Sequence, residues 1–344
     1  MRIRHFNTDE RVLVVAEVGN NHEGNFEVAK ELVRQARVSG ADAVKFQTFQ
    51  TEYFVGTADP ARFKRLKSFE LAYDQFAELA RLAKSLGLIF FASPFDLESA
   101  RFLNGIVDCF KIASGDNTFW PLIEYVCTTE KPLIISSGLT DLEQVKRIQE
   151  FVGRQWPARS VGRDLAILHC VSSYPAPDEQ VNLAVLPVLA RELGCTIGYS
   201  DHTIGIEACL AAVAAGARII EKHFTLHKDY SSFRDHQLSA DPNDMRALVH
   251  GIRRIETFLG KPEKKVQPSE EKGVELFRRS IAARADLPRG HHLALGDLMW
   301  IRPATGLPPG AEDHVIGKAL ARDVSFGEQI RPEDVIEDKN QLLL

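Results

Sequence analysis

The chain has 344 residues, of which 44% are hydrophobic and 26% charged, and its formal net charge is −5. This length suits one large core with or without a smaller companion domain. The acidic balance excludes general nucleic-acid binding, so any anion site must be a local concentration of positive charge. Five cysteines without a C-x-x-C pair favour buried thiols in a reducing compartment. No signal peptide and no apolar run of membrane-span length is visible, which predicts a cytoplasmic protein with no membrane partner.

Eight apolar runs of strand length follow one another along the chain, and each ends in polar or small residues. They occupy residues 12–16, 42–48, 88–95, 109–116, 132–139, 165–174, 198–203 and 220–225. Runs of this kind suit strands that are buried on both faces of a parallel sheet. Amphipathic helical patterns separate them, among them Phe26 to Ala36 and Phe69 to Ala83, whereas residues 51–67 are expected to be irregular.

The count of eight strand-then-helix units within about 260 residues predicts an α/β fold of the (β/α)8 TIM-barrel type, whose usual size is about 250 residues. A doubly wound open sheet is the competing architecture. It would usually carry a glycine-rich phosphate turn, and residues 19–24 do not match G-x-G-x-x-G. The polar residues collect at the carboxyl ends of the strands, where barrel active sites are built.

After residue 260 the apolar periodicity is lost and the composition of the sequence changes. We predict a catalytic barrel over residues 1–260 and a linker rich in Lys, Glu and Pro over 261–279. Residues 280–344 form a small β-rich domain with a weak internal repeat, in which Gly290 and Gly327 occupy matching positions. Such a piece is small for independent stability and is expected to pack on the barrel or on another subunit.

Two histidines end the last two predicted strands. If these strands are neighbours, His202 and His223 point into the same space. Two neutral imidazoles can hold a divalent metal and leave other coordination positions open for substrate and water. The alternative is that each is a hydrogen-bonded core or loop histidine.

Basic and hydroxyl side chains at other strand ends predict an anion site. Positive charge comes from Lys45 and Lys111, with Arg302 as a further candidate. The hydroxyls are those of Ser93, Ser114, Ser172 and Ser200. This combination suits a phosphorylated or carboxylated ligand, although each serine taken alone could be a turn or helix-cap residue.

Several further residues at the strand ends could have either a functional or a structural role. Glu17 and Asp235 could orient sugar hydroxyls or transfer protons, and Asp235 could equally be a surface loop residue. Tyr174 could stack on a polyol or cover the barrel rim. His169 and Cys170, inside the sixth strand, are interpreted as packing residues.

Six motifs resemble those of the sialic acid synthase family. They lie at residues 16–24 (AEVGNNHEG), 44–48 (VKFQT), 110–115 (FKIASG), 168–175 (LHC with the later Tyr-Pro), 200–203 (SDHT) and 221–225 (EKHFT). The C-terminal segment, with Trp300-Ile-Arg-Pro303 and Ile316-Gly-Lys, resembles the antifreeze-like (SAF) domain of the same family. The match covers nearly the whole chain, with both domains in order.

The resemblance implies an enzyme that condenses phosphoenolpyruvate with an open-chain sugar aldehyde to give a sialic-acid-like nonulosonate plus phosphate. The aldehyde would be N-acylmannosamine-like or related, with deoxy-diamino sugars and other aldoses open as acceptors. It implies that His202 and His223 hold Mn²⁺, with Mg²⁺ or Co²⁺ as substitutes, and that the ion polarises the aldehyde and helps to activate water. The implied catalytic residues are Glu17, Lys45, Lys111, His202 and His223. The implied phosphoenolpyruvate site is Lys45, Ser93, Lys111, Ser114, Ser172, Ser200 and Arg302, and the implied sugar site is Glu17, Gln47, Asp116, Tyr174 and Asp235.

Arg302 matches the arginine that the SAF domain of one subunit contributes to the barrel of the other. The resemblance therefore implies a domain-swapped homodimer.

The sequence departs from N-acetylneuraminate synthases at positions near the expected sugar. Asp116 stands where those enzymes usually carry Glu, and Ser172 where they often carry Asn. Phe233-Arg234 replaces the expected Gly-Pro, and residues 63–69 resemble instead relatives called spore-coat polysaccharide biosynthesis protein E. Because unpaired buried polar groups reject the wrong ligand, such changes can redirect sugar specificity.

Two alternatives stay open at this point. One is a phosphoenolpyruvate-dependent synthase for another, phosphorylated aldose, which would need a second basic cluster, and only Lys64, Arg65 and Lys67 offer one near the strand ends. The other is a non-catalytic carbohydrate-binding or interaction protein that acts through the SAF domain. The presence of both histidines with Lys45 and Lys111 argues against an inert barrel.

Overall fold

The computed structural model describes residues 1–156 and 165–336. By its internal contacts the chain divides into two compact units, Met1–Gly260 and Lys261–Leu344. In the described parts of the chain, no helix combines the length and the apolar character that a membrane crossing requires.

The first unit begins with a short antiparallel hairpin, β1 (Arg2–Ile3) and β2 (Phe6–Asn7). Eight parallel strands of the described chain then form a closed barrel. They are β3 (Leu13–Gly19), β4 (Ala43–Thr48), β5 (Ile89–Pro94), β6 (Phe110–Ile112), β7 (Leu133–Ser136), β8 (Leu165–Cys170), β9 (Thr196–Asp201) and β10 (Ile219–His223). Strand β10 pairs with both β9 and β3, which closes the ring. The prediction of a (β/α)8 barrel is therefore confirmed.

Helices surround the barrel and connect its strands. Their bounds are α1 (Phe26–Val38), α2 (Thr51–Phe54), α3 (Pro60–Phe69), α4 (Tyr73–Ser85), α5 (Leu97–Leu103), α6 (Trp120–Thr128), α7 (Leu142–Gln155), α8 (Leu186–Leu193), α9 (Glu207–Ala214), α10 (Asp235–Leu238) and α11 (Pro242–Leu259). Side-chain caps begin several of them. The Asn25 side chain accepts hydrogen bonds from two backbone N–H groups of α1, and Asp241 does the same for α11. Apolar faces such as Ala29, Leu32 and Val33 of α1 pack on the buried strands.

The expectation of an irregular stretch over residues 51–67 is wrong. Helices α2 and α3 occupy most of it, and Phe69, which was assigned to the following helix, ends α3 instead. Asp59 caps the backbone N–H of Arg62, and Pro60 stands in the first turn, where a missing N–H costs nothing. The low apolar content of α3 concealed it, because its residues are mostly exposed and polar.

The second unit has a small apolar core of its own. Strands β11 (Ser280–Ala283) and β12 (Leu298–Ile301) pair antiparallel. The core contains Ile281, Leu293, Leu298, Val315, Leu320, Val324 and Ile330. Two short 3₁₀ turns, Leu295–Asp297 and Pro332–Asp334, occupy matching positions in the predicted repeat. The segment predicted as a linker is not wholly irregular, because helix α12 (Glu271–Phe277) forms within it.

Candidate active site

The carboxyl ends of the barrel strands bring most of the predicted site residues together. In the parallel register Glu17 of β3 stands directly beside Lys45 of β4 on one side and His223 of β10 on the other. The remaining predicted residues on strands are Gln47 and Ser93, which are register partners, Lys111 on β6, and Ser200 on β9. Because residues i and i+2 of a strand share a face, these side chains line the interior of the barrel mouth.

Two lysines and two glutamates form a buried charge network at this mouth, which we call the inner cluster: Glu17, Lys45, Lys111 and Glu221. Lys45 Nζ lies 2.8 Å from Glu17 Oε2 and 3.6 Å from Glu221 Oε1. Lys111 Nζ lies 4.0 Å from the same Glu221 oxygen, and the Ser200 hydroxyl donates to it at 2.9 Å. The carboxylate of Glu221 therefore connects the two lysines.

Serine hydroxyls complete the surroundings of the two lysines. Lys45 Nζ donates to Ser93 Oγ at 3.3 Å, and Lys111 Nζ donates to Ser136 Oγ at 2.7 Å. Lys111 also donates to the Ile112 carbonyl at 3.0 Å. All of these side chains are buried, so their ammonium groups are held by protein atoms rather than by water.

Burial and mutual attraction shift the pKa values of the inner cluster in different directions. Burial raises the pKa of Glu17 although Lys45 opposes it. Burial alone would also raise the pKa of Glu221, but Lys111 and Lys45 outweigh it and the pKa is lowered. Lys45 has its pKa raised because Glu17 and Glu221 overcome its desolvation, whereas desolvation prevails at Lys111 and lowers its pKa.

The inner cluster still has unused hydrogen-bonding capacity. Glu221 Oε2 is buried and has no hydrogen-bond partner among the described residues. The same holds for Ser172 Oγ. Buried polar atoms are nearly always paired in a finished core, so unpaired ones at a strand-end mouth indicate a place for a ligand.

Ser114 and Ser172 meet around Gly138, just beyond β7. The Gly138 N–H donates to Ser114 Oγ at 3.1 Å. A Cβ at this position would stand 2.3 Å from Ser172 Oγ and 2.6 Å from Ser114 Oγ, closer than real side chains approach. Only glycine therefore leaves the two hydroxyls room.

The two predicted histidines are neighbours. The rings of His202 and His223 are 5.3 Å apart between centroids, and both are buried. His202 Nδ1 is 2.7 Å from the Val171 carbonyl, which fixes this nitrogen as the donor and leaves Nε2 as the lone-pair atom. Burial, with repulsion from His202, lowers the pKa of His223 well below its usual value, and His223 Nδ1 has no hydrogen-bond partner in the described chain.

This donor set fits a divalent metal ion with open coordination positions. His202 is held by a carbonyl on its other nitrogen, which is the usual way that a protein orients an imidazole ligand. His223 stays neutral and keeps an unpaired buried nitrogen. Within the described residues no group of three or more His, Cys, Asp or Glu side chains suits a metal. Further ligands would therefore come from substrate and water.

The predicted sugar-binding residues lie on two sides of the histidines. The Tyr174 ring lies 4.1 Å from the His202 ring and meets the His223 ring edge-on at 6.0 Å. Gln47 donates to Glu17 at 3.2 Å and accepts from Asn20 at 2.9 Å. Gln47 is therefore held by two neighbours, while Tyr174 forms a wall beside the histidines.

Two carboxylates complete the sugar side. Asp116 closes the short turn after β6, and burial raises its pKa to about 6 although Lys111 opposes the shift. Asp235 begins α10 in the loop after β10, and burial raises its pKa as well, with Arg234 opposing. Both groups can therefore exchange a proton closer to neutral pH than an ordinary aspartate.

Cys170 is buried, as its interpretation as a packing residue requires, but it also contacts one of the histidines. Its sulfur lies 3.8 Å from His202 Nδ1, so the thiol belongs to the site. Cys170 stands in register with Ser200 and thus shares its inward face, a relation that follows from strand periodicity once β8 and β9 are paired. His169, one residue earlier, bonds to the Val181 carbonyl at 2.7 Å and does have a structural role.

Glu221 and Ser136 are site residues that the sequence reasoning missed. Glu221 precedes His223 by two positions on the same strand, so the period of two was a sufficient signal. Ser136 is the last residue of β7, and nothing in the sequence except this position marked it as a site residue. Arg302 lies in the second unit, with its guanidinium 5.9 Å from the Phe277 ring.

Comparison with known proteins decides the family. Residues 32–264 match the model of the NeuB family, and residues 278–336 match that of the SAF domain. The chain belongs to the NeuB family. The expected resemblance to sialic acid synthases and the SAF assignment of the second domain are confirmed.

The relatives that match over most of this chain include synthases named for legionaminic, neuraminic and pseudaminic acids. The chain is 39% identical over 336 residues to the N,N'-diacetyllegionaminic acid synthase of Legionella pneumophila, covering 94% of each chain. It is 31% identical to the N-acetylneuraminate-9-phosphate synthase of Homo sapiens over 93% of this chain and 91% of the relative. The N-acetylneuraminic acid synthetase structure from Leptospira borgpetersenii superposes with a TM-score of 0.75 at 30% identity, covering 80% of this chain and 95% of that one. At the level of the family, the predicted phosphoenolpyruvate-dependent transferase class is confirmed.

Proposed function

We propose that this enzyme condenses phosphoenolpyruvate with an open-chain sugar aldehyde to give a nonulosonate and phosphate, with Mn²⁺ or a similar divalent ion as cofactor. The observation that carries the proposal is the joint presence, at one barrel mouth, of two adjacent histidines and the buried inner cluster. The histidines suit a metal, and the lysines suit a ligand with several negative charges.

Phosphoenolpyruvate carries a phosphate and a carboxylate, and the chain offers donors for both. We infer that Lys45 and Lys111 turn from Glu221 to the incoming anion, since Glu221 lies at 3.6 and 4.0 Å from them rather than in tight contact. The hydroxyls of Ser93, Ser114, Ser172 and Ser200 would complete the anion site. The unpaired hydroxyl of Ser172 and the glycine at position 138 support this arrangement.

The condensation forms a bond between C3 of phosphoenolpyruvate and the aldehyde carbon, whose oxygen takes up a proton, and leaves a cation at C2. Water adds to C2 and loses a proton. The bond between C2 and the phosphate ester oxygen then breaks, the hydroxyl at C2 becomes a ketone as its proton is lost, and phosphate leaves with that proton. When bound between His202 and His223, the ion would polarise the aldehyde and lower the pKa of the attacking water. The raised pKa of Glu17 supports its role as the base that accepts the water proton, and Lys45 beside it would stabilise the resulting charge.

The acceptor would be an N-acyl hexosamine or a related deoxy-diamino sugar, which is the class that the products in the relatives' names imply. Asp116, Gln47, Tyr174 and Asp235 would contact it. The raised pKa values of both aspartates and the position of the Tyr174 ring beside the histidines support these roles.

We also propose a cytoplasmic homodimer in which Arg302 of one subunit completes the phosphoenolpyruvate site of the other. Five free cysteines support a reducing compartment. Leu139 and Ile204 follow barrel strands and are 77% and 65% exposed, and Phe277 beside Arg302 is 66% exposed. Apolar surface of this kind at the barrel mouth and next to Arg302 supports burial by a second copy. If an Arg302→Ala chain mixed with a His223→Ala chain regains no activity, this sharing is wrong.

The test of the metal site uses phosphate release from phosphoenolpyruvate plus N-acyl hexosamines, with and without Mn²⁺. We expect His202→Ala and His223→Ala to abolish metal-dependent release and to lose Mn²⁺ binding in titration calorimetry. The matched control is His250→Ala, which removes an exposed histidine of α11. Full activity and unchanged Mn²⁺ binding in either site variant would refute the metal assignment.

A further inference from the structure

Asn20 lies at the carboxyl end of β3, beside a residue proposed to bind the sugar. Gly19 ends the strand in a left-handed conformation, with a φ of +54°, and the register between β3 and β4 shifts at this point. A Cβ on Gly19 would stand 3.3 Å from Gln47 Nε2, which is close for a side-chain carbon. The glycine bend therefore leaves room for the Gln47 amide and brings the next side chain, that of Asn20, into hydrogen-bond contact with it.

Glu17, Gln47 and Asn20 form a hydrogen-bonded series, which we call the amide series, and its direction is fixed at the Glu17 end. The Glu17 carboxylate lies 2.8 Å from Lys45 Nζ, and a carboxylate oxygen only accepts, so Gln47 turns its Nε2 to Glu17 Oε1 at 3.2 Å. The Gln47 oxygen then faces the other way and accepts from Asn20 Nδ2 at 2.9 Å. Both amide orientations therefore follow from Glu17, and Asn20 Oδ1 points away from the series.

The side-chain oxygen of Asn20 lacks a hydrogen-bond donor. Only 7% of Asn20 is exposed, and its Oδ1 is buried without a hydrogen bond from any described residue. A buried amide oxygen without a donor is unfavourable, and such atoms are rare in a finished core. Because this one lies beside Gln47 and Glu17 at the barrel mouth, we infer that the missing donor belongs to a bound molecule.

The backbone around Asn20 is held in place by bonds that do not use its side chain. The Asn20 carbonyl accepts from the Glu23 N–H at 2.9 Å, and the Asn21 N–H donates to the Val18 carbonyl at 2.9 Å. The Asn21 side chain donates to the Phe224 carbonyl, just after β10, at 2.8 Å. The free oxygen of Asn20 is therefore preorganised, and little ordering is needed when a ligand binds to it.

We propose that Asn20 is a specificity-determining residue, whose side-chain oxygen accepts a hydrogen bond from one N–H or O–H group of the acceptor sugar. The proposal rests on the proposed condensation, in which the aldehyde lies at the two histidines. Because Glu17 is the register partner of His223, the amide series begins beside the aldehyde and ends at Asn20. A sugar with a donor at the matching position is favoured. A deoxy carbon, or a group that only accepts such as an acyl carbonyl, leaves the oxygen unpaired and is rejected.

The test removes one donor of the sugar at a time. Phosphate release from phosphoenolpyruvate is screened over N-acyl hexosamines and deoxy-diamino sugars, and the sugar that reacts fastest is compared with analogues that each lack one N–H or O–H group. We expect one analogue to lose about tenfold or more in kcat/KM in the natural chain. Asn20→Leu should abolish that loss and leave the losses of the other analogues unchanged. The affected analogue shows whether the donor is an acylamino N–H or a hydroxyl.

Two further variants guard against an indirect effect. Asn104→Leu is the matched control, because Asn104 follows α5 at the opposite end of the barrel, and it should leave every loss unchanged. Asn20→Ala repeats the measurement with a smaller side chain and replaces the leucine variant if that chain does not fold. Because two sugars are compared within each variant, a general fall in activity does not imitate the expected result.

Phosphate release with the same losses in the natural chain and in the Asn20 variants would keep the condensation and overturn the proposal, since the oxygen would then bind only water. Binding of the corresponding alditols in the presence of phosphoenolpyruvate is followed in parallel by titration calorimetry. No release with any sugar, together with an alditol preference that depends on Asn20, would refute the condensation and keep the role of Asn20. No release and no binding of any alditol would overturn both.

Discussion

Two groups of buried charges lie on opposite faces of the barrel wall and differ in how many of their hydrogen-bonding atoms have partners. The inner cluster faces the barrel mouth, and its central carboxylate, Glu221, keeps one oxygen without a hydrogen-bond partner among the described residues. The second group, Asp201 with Lys222, faces outward. Lys222 lies between Glu221 and His223 on β10, and the pleat turns its side chain to the other side of the sheet.

The outward pair is fully engaged. Lys222 Nζ lies 2.7 Å from Asp201 Oδ2 and donates to the Thr203 carbonyl at 2.6 Å. Asp201 also accepts from the Tyr199 hydroxyl at 2.8 Å and from the Thr203 N–H at 3.0 Å. Neither side chain of the pair is exposed at all. Because Lys222 and Asp201 are register partners, the ion pair fixes β9 against β10 immediately below the two histidines.

The difference suits the outward pair to holding the fold and the inner cluster to the ligand binding proposed for it. A buried ion pair with all its hydrogen bonds made is expensive to break, whereas a cluster with a spare acceptor can still take up a hydrogen-bond donor. The pKa values of Asp201 and of Lys111 differ in which influence prevails. Burial would raise the pKa of Asp201, but Lys222 outweighs it and the pKa is lowered, whereas at Lys111 burial prevails and the pKa is lowered from the ordinary lysine value.

The largest expected effect follows from breaking the outward pair. Lys222→Met leaves the Asp201 charge buried without its partner, so the free energy of unfolding should fall by about 3–5 kcal/mol in urea denaturation. Asp201→Leu combined with Lys222→Met removes both charges and should recover a large part of that loss. A single variant as stable as the natural chain would show that the pair does not hold the two strands.

Lys111→Met in the inner cluster should change the free energy of unfolding less than Lys222→Met. It should instead weaken substrate binding directly. The affinity for phosphoenolpyruvate should weaken about 100-fold, because a charge-assisted hydrogen bond to the anion is lost. Stability should fall less than in Lys222→Met, because Glu221 keeps Lys45 and the Ser200 hydroxyl as partners when Lys111 is removed. Calorimetry with phosphoenolpyruvate measures the first effect and urea denaturation the second.

The matched control for that experiment is Lys131→Met. Lys131 also has its pKa lowered by burial, but it precedes β7 at the opposite end of the barrel, where it donates to the Val107 carbonyl. Its replacement should leave phosphoenolpyruvate binding unchanged. If Lys111→Met binds the substrate normally while Lys131→Met does not, the assignment of the anion site to the carboxyl end is wrong.

The smallest effect is expected at Asp116, which is only partly buried and belongs neither to the inner cluster nor to the outward pair. Its pKa is raised to about 6 by burial, and a sugar hydroxyl would donate to the ionised form. The acceptor KM should therefore fall about tenfold as pH rises through about 6, as one pKa unit of linkage allows. Asp116→Asn should flatten this profile, and Asp74→Asn, an exposed residue of α4, should not. An identical pH profile for the Asn variant would exclude Asp116 from acceptor binding.

The apolar strand patterns were sufficient to predict most of the fold and part of the site. The apolar runs were long and fully buried, so eight strands could be counted, and Lys45, Gln47 and the two histidines followed from their positions at strand ends. Helix α3 was missed because its stability comes from an Asp59 cap and a proline in the first turn, not from an apolar stripe.

The sequence did not allow us to predict which side chains from different strands and loops contact each other. The contact of Cys170 with His202 depends on the closure of β8 against β9, and the bridge that Glu221 makes between two lysines depends on three strands at once. Arg234 was visible only as a departure from the relatives. Its contact with Tyr174 joins two loops that are 60 positions apart in the chain, a relation that no local pattern encodes.

The aromatic contact between Phe69 and Phe233 links two of the stretches in which this chain is expected to depart from N-acetylneuraminate synthases. One belongs to α3 and the other to the loop that carries Arg234 and Asp235. Because each ring fills the space beside the other, exchanging only one of these stretches for that of a relative would leave a void or a clash. Loop grafts that aim at a new acceptor sugar should therefore move both stretches together, and natural lineages should inherit them as a pair.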